Sequence, residues 1–151
     1  MERFMDSATA TGLVQAIDFV KRSGLEVVSV EPGRCVLRMP AEPNVNHFGT
    51  MYAGALYTLG EVPGGVLFYS TFDAEKFFPL VKQSTIRYRR PARGAISVEA
   101  SIADADVARL SAEAAEHGKA NFDLSLDLTD EDGEVVAIMT SAYQMRTHGS
   151  V

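Results

Sequence analysis

The stretch NHFGTMYAGALYTLGEVPGG, residues 46–65, constrains the fold more than any other part of the chain. It is the one long apolar segment, and the segments around it read mostly as short strands. It reads as a helix, yet it holds five glycines and a single acid, Glu61. Each glycine in a helix interior costs about 1 kcal/mol relative to alanine. Glycines and a lone carboxylate in the segment that should be most buried need a reason.

The rest of the chain supplies the partner surface. Residues 11–23 are expected to form one short helix, with Leu13, Ile17 and Val20 at helical spacing and Gly24 as its stop. LEVVSVEPGRCVLRMP reads as two extended segments about the turn EPG, followed by the loop AEPNVN. After the apolar helix come the strands LVKQSTIRYRR and AISVEASIA. DADVARLSAEAAEH reads as a surface helix with acids at its start, His117 near its end and Gly118 as its stop. NFDLSLDL alternates, with Phe122, Leu124, Leu126 and Leu128 on one face and Asp123, Ser125 and Asp127 on the other. TDEDGE is an Asp-Gly hairpin turn, and VVAIMTSAYQM is the last strand. Strands segregated from one buried helix imply an α+β fold, an antiparallel sheet curled around that helix.

With 151 residues and 46% hydrophobic content, one domain over residues 1–151 is expected. A net charge of −6 carries no nucleic-acid footprint. The N-terminal MERFMDSATATGL contains no apolar run suited to a signal peptide, and no membrane span is visible. The lone Cys35 can form no internal disulfide and reads as a small core residue in a reducing compartment. A cytoplasmic protein is the expectation. No metal-ligand cluster is visible, and His47, His117 and His148 are scattered.

Set at 100° per residue, Thr50, Gly54, Thr58, Glu61 and Gly65 share about a quarter of the helix circumference. Leu56, Leu59, Pro63 and Leu67, with Tyr52, lie opposite as the core-facing stripe. The small-residue strip leaves room for a ligand or for another helix, and close packing is the plainer explanation of glycine alone. Glu61 shifts the balance, because burying an unpaired carboxylate costs several kcal/mol or so. Its bland alternative is a salt bridge to a strand arginine. Pro63 lacks an N–H and predicts a bend after Glu61.

The helix start is a second candidate feature. Its first N–H groups lack internal partners and point at any polarised oxygen placed there. Ala53 and Glu61 are eight residues apart, about 12 Å along the axis. One glutamate side chain does not span that distance, so joint action on one bond requires two subunits. A composite site across a two-fold dimer follows, with two such helices antiparallel.

These residues resemble the hotdog-fold acyl-CoA thioesterases, in particular the PaaI-like branch and its DUF4442 (YiiD-C-type) relatives. The PaaI-like pattern Asn-x-x-Gly-x-x-His-Gly-Gly, then Leu and an acid, is met here by Asn46, Gly49, Gly54, Leu59 and Glu61. Tyr52 stands in place of the His and Ala53 in place of the first paired Gly. IRYRRPARG is similar to the family's strand-to-turn segment, and the helix around DVARLSAEAAEHG is closer to the DUF4442-type relatives. The resemblance implies a sheet wrapped around a central helix, a homodimer or a tetramer built of two dimers, and hydrolysis of an acyl-CoA thioester without a cofactor. It assigns Glu61 as general base or nucleophile, the Ala53 or Gly54 N–H to the thioester carbonyl, and Asn46 to supporting polar contacts. Tyr52 offers a hydrogen-bonding hydroxyl without the acid–base range of His.

Further candidates flank this motif. Thr50 and Thr58 lie on the small-residue strip, and His47 beside Asn46 is a possible ligand contact or a loop histidine with no role. Arg87, Arg89, Arg90 and Arg93, with Lys82, are suited to the phosphates of coenzyme A, or equally to a solvated edge strand. Tyr88 and Phe68 are acyl-pocket candidates, with plain core as the alternative. Three functions compete: a thioesterase using Glu61, a non-catalytic acyl-CoA binder favoured by the missing His, and a hydratase, which would need a His–acid pair that the motif lacks.

Overall fold

The computed structural model describes residues 5–150, so the first four residues of the N-terminal reading lie outside it. Four helices and six strands follow in the order α1 (Ser7–Gln15), α2 (Asp18–Ser23), β1 (Glu26–Glu31), β2 (Arg34–Met39), α3 (Ala53–Thr71), β3 (Phe77–Tyr88), β4 (Ile96–Ser101), α4 (Asp104–His117), β5 (Lys119–Thr129) and β6 (Val135–Thr147). The strands form one sheet in the order β1-β2-β4-β5-β6-β3. Each neighbouring pair is antiparallel. The sheet wraps α3, whose Leu56, Leu59, Val66 and Leu67 enter a core with Leu37, Met39, Val98, Leu126 and Met139.

The single helix expected over residues 11–23 is instead two. Asp6 caps α1 by accepting the Thr9 N–H at 2.7 Å, and the chain turns extended at Ile17 (φ −93°, ψ 108°) before α2 begins. Val14 and Val20 are both buried, while Ile17 is turned to solvent. Six residues apart on an unbroken helix, the two valines would point about 120° apart; the break lets both face inward.

The helix α4 begins and ends where its sequence indicates, with Gly118 in the left-handed region (φ 81°) as its cap. Its buried Leu110 and Ala114 join Phe68, Phe72, Phe77, Ala120 and Met145 in a second cluster at the C-terminal end of α3. The alternation of β5 holds, with Leu124, Leu126 and Leu128 buried and Asp123, Ser125 and Asp127 exposed. The EPG and Asp-Gly turns place Gly33 and Gly133 at φ 82°.

Pro63 does not end the helix: α3 runs as one continuous helical element with Pro63 inside it. Two of its glycines account for how close it lies to the sheet. A Cβ on Gly60 would come within 2.9 Å of the Met139 side chain, and one on Gly64 would collide with the Tyr143 hydroxyl and ring. Both residues belong to β6, so the helix rests on that strand through bare Cα atoms on either side of Glu61.

Candidate active site

The outward stripe of α3 runs in steps of four residues through Tyr57, Glu61, Gly65 and Tyr69, the spacing of one helix face. Tyr57 and Tyr69 are exposed, while Glu61 and Gly65 are half-buried. A Cβ on Gly65 would meet nothing within 4 Å, so no part of the chain itself requires a glycine there. The small residues thus divide into two sets, packing glycines toward β6 and an open one beside Glu61. Thr58 belongs to the inner set; it is buried and donates its hydroxyl to the Gly54 carbonyl at 2.8 Å.

Burial holds the Glu61 carboxyl above the usual carboxylate range, and no cation or donor opposes that shift. The salt bridge to a strand arginine does not form: Arg90 pairs with Glu134 at 3.1 Å instead. A carboxylate raised by desolvation and left without a partner on an accessible face is a functional candidate.

Tyr143 lies beneath this turn. Its hydroxyl donates to the Glu61 main-chain carbonyl at 3.3 Å, and its ring stacks on Phe122 with centroids 5.3 Å apart. Burial first, and then the Glu61 charge, push the phenol up to about 12, so it remains a neutral donor at ordinary pH. Beside it on β6, the buried Ser141 shares a 2.8 Å hydrogen bond with Ser84 of β3.

At the other end of the stripe, loop residues 46–50 deliver the chain to α3. Asn46 Oδ1 accepts the N–H groups of Phe48 (2.9 Å) and Thr50 (3.1 Å), and its amide nitrogen donates to Thr50 Oγ1 at 3.0 Å. Gly49 sits at φ 81°, a conformation that favours glycine. The Met51 N–H bonds to Ala92 and the Tyr52 N–H to Asn44, which pins the helix start. The N-cap Tyr52 gives no side-chain cap, and among the described residues the Ala53 and Gly54 N–H groups find no acceptor. These are the donors that the sequence singled out. The Tyr52 ring, 59% exposed, covers Gly54, where a Cβ would come within 2.5 Å of it. This solvent-facing placement differs from the core side given by the helical wheel, because Tyr52 precedes the first helical residue.

Other expected contacts divide. Tyr88 reaches the same place and donates to the Ala53 carbonyl at 3.0 Å. Arg89 and Arg90 follow it directly in sequence and are exposed, and Arg90 is held by Glu134. Lys82 is six residues earlier on β3, about 20 Å along an extended strand, and does not join them. The β3 strand is a sheet edge, so the solvated-edge reading of its charges has a structural footing as well. Exposed His47 packs on Phe48 in the loop, with ring centroids 4.1 Å apart. Phe68 is plain core, 1% exposed and stacked on Phe72, and it does not reach the open stripe. Among the described residues, no three His, Cys, Asp or Glu side chains group as a metal site requires. No helix among them is long and apolar enough to cross a membrane.

Sequence reasoning missed Tyr57, Tyr69 and Tyr143. The first two were available from the wheel, four residues before Glu61 and eight after it. Tyr143 carries no local signal, because only the pairing of β6 with its neighbours brings it under α3.

An antiparallel sheet wrapped around one long helix, with an acid on that helix's open face, is the hotdog fold of thioesterase-type proteins. A family model for DUF4442, described as a domain of unknown function, matches residues 7–145, and the chain belongs to that family. A Pseudomonas aeruginosa protein of unknown function, described as a probable thioesterase, is 49% identical, with a TM-score of 0.94 over 98% of this chain and 100% of its own. A putative thioesterase from Shewanella oneidensis has a TM-score of 0.73 at 21% identity, covering 89% of this chain and 92% of its own. A thioesterase from Haemophilus influenzae has a TM-score of 0.72 at 13% identity, covering 97% and 93%. At those identities the last two show the fold alone. No curated protein matches the chain.

Proposed function

We propose that this protein hydrolyses acyl-CoA thioesters, with Glu61 of one protomer and the α3 N-terminus of another acting on the same bond. The supporting observation is the unpaired, half-buried Glu61 on the accessible stripe of α3, on the same helix as the two free amides. The similar Pseudomonas protein described as a probable thioesterase points the same way.

The Glu61 carboxylate takes a proton from water as the water oxygen attacks the thioester carbonyl carbon. The Ala53 or Gly54 N–H holds the oxyanion, the carbon–sulfur bond breaks, and the thiolate of coenzyme A leaves and is protonated. Direct attack by Glu61 to give an anhydride, later hydrolysed, uses the same residues. Arg89 and Arg90, exposed and next in sequence to Tyr88, are the candidate contacts for the phosphates of the coenzyme.

A panel of acyl-CoA substrates with thiol detection tests this. Turnover by the wild type, lost by about a thousand-fold in Glu61→Gln with the oligomer intact, is the expected result. An unchanged rate in that variant removes Glu61 as the catalyst. The competing reading, a non-catalytic acyl-CoA binder, draws on Tyr52 in place of the family His; it predicts tight binding with no thiol released by the wild type.

A further inference from the structure

The turn of α3 that carries Glu61 is one rung short. Pro63 has no N–H, so the Leu59 carbonyl one turn earlier lacks its regular donor four residues on. A proline inside a helix loosens its turn, and α3 keeps its helical backbone on both sides of it, from Ala53 to Thr71. With one internal hydrogen bond missing, contacts from outside the helix weigh more on this turn.

The contacts that reach this turn come from the sheet. The Tyr143 hydroxyl donates to the Glu61 carbonyl at 3.3 Å, and the buried Cys35 thiol lies 3.8 Å from the Pro63 carbonyl. Gly64 is what admits Tyr143, since any side chain there would displace the phenol. A phenylalanine would fill the same space without bringing a hydroxyl to be buried, and burying one without a partner costs about 1–3 kcal/mol. The hydroxyl is retained at a residue only 4% exposed, and it is spent on the main chain of the candidate catalytic residue. Ser141, on the same face of β6, bonds Ser84 and ties the strand beneath this contact to β3.

We infer that Tyr143 is a positioning residue: its hydroxyl, admitted by Gly64, braces the proline-weakened turn of α3 and thereby fixes where the Glu61 carboxylate stands. This rests on the thioesterase reading for its catalytic consequence, and on the geometry alone for the brace. Loss of the hydroxyl loosens the turn at Pro63, and the carboxylate moves relative to the amides it works with.

The test is Tyr143→Phe, which keeps the ring over Gly64 and removes one oxygen. Amide hydrogen exchange is expected to quicken at residues 61–65 while the first turn of α3 is unchanged. With acyl-CoA substrate, kcat is expected to fall on the order of ten-fold with KM within about two-fold. Adding Pro63→Ala supplies the missing N–H to Leu59 and is expected to recover most of the lost kcat. Pro63→Ala alone is expected to slow exchange at the same amides, which keeps the test available if the phenylalanine variant does not fold. Unchanged exchange in both variants overturns the brace. Faster exchange with wild-type kcat, or a loss that Pro63→Ala does not rescue, overturns the positioning role. If Glu61→Gln retains full turnover, the enzyme reading fails instead, and the exchange data still decide the brace.

Discussion

Gly64 and Gly65 are adjacent in sequence, yet they face different surroundings. Gly64 is pressed against Tyr143, with no room for a methyl group. Gly65 looks onto open space, one turn from Glu61. The same comparison holds along the helix. Gly60 and Gly64 let α3 settle onto β6, and that close approach brings a tyrosine hydroxyl under the Glu61 turn. Gly65 serves nothing in its own chain, and it costs about 1 kcal/mol of helix stability. Glycine therefore has two settings within one helix: internal packing on one face, and open space beside Glu61 on the other.

Three measurements sharpen or break this contrast. Gly64→Ala forces Tyr143 out of place and is expected to destabilise the protein by about 1–3 kcal/mol, read as a lowered denaturant midpoint. An alanine tolerated at Gly64 would show that the approach to β6 is slack. Gly65→Ala in the isolated protomer is expected to stabilise by up to about 1 kcal/mol, through helix propensity and a less flexible unfolded chain. A loss at Gly65 as large as at Gly64 would erase the distinction between the two faces.

The smallest effect concerns pH. Burial raises the Glu61 carboxyl, so the folded state disfavours its charge. Folding then loses stability as pH rises through the raised value, and the loss is absent below the ordinary carboxylate range. Glu61→Gln is expected to melt higher than the wild type near neutral pH, with the difference vanishing in acid. A difference that grows in acid would mean that the carboxylate is paired and stabilising.

Much of the fold was legible because its signals are local. The limits of α4 follow from its acids and Gly118, and the face of β5 follows from strict alternation. The wheel found the open position of Glu61 because apolar periodicity marks the opposite side of the helix. What was not legible depends on distant partners. The contacts that bear on the Pro63 turn come from Tyr143 and Cys35, which lie on other elements. Phe68 is claimed by a cluster that needs α4 in place. The break at Ile17 follows from two valines competing for one core. Tyr52 precedes the first helical residue, so helical angles misplaced it.

The central claim is that Glu61 of one protomer serves the helix start of another. Ala53→Pro removes one candidate amide donor at the first helical position, where proline is well tolerated. Glu61→Gln removes the base. Each variant alone is expected to be inactive on acyl-CoA. Dissociated, mixed and reassociated, the two should form hybrid dimers in which one site has both an intact Glu61 and an intact amide, recovering about a quarter of wild-type turnover. A mixture that forms hybrids yet stays inactive would place both groups in the same chain's site, or in none, and would contradict the account.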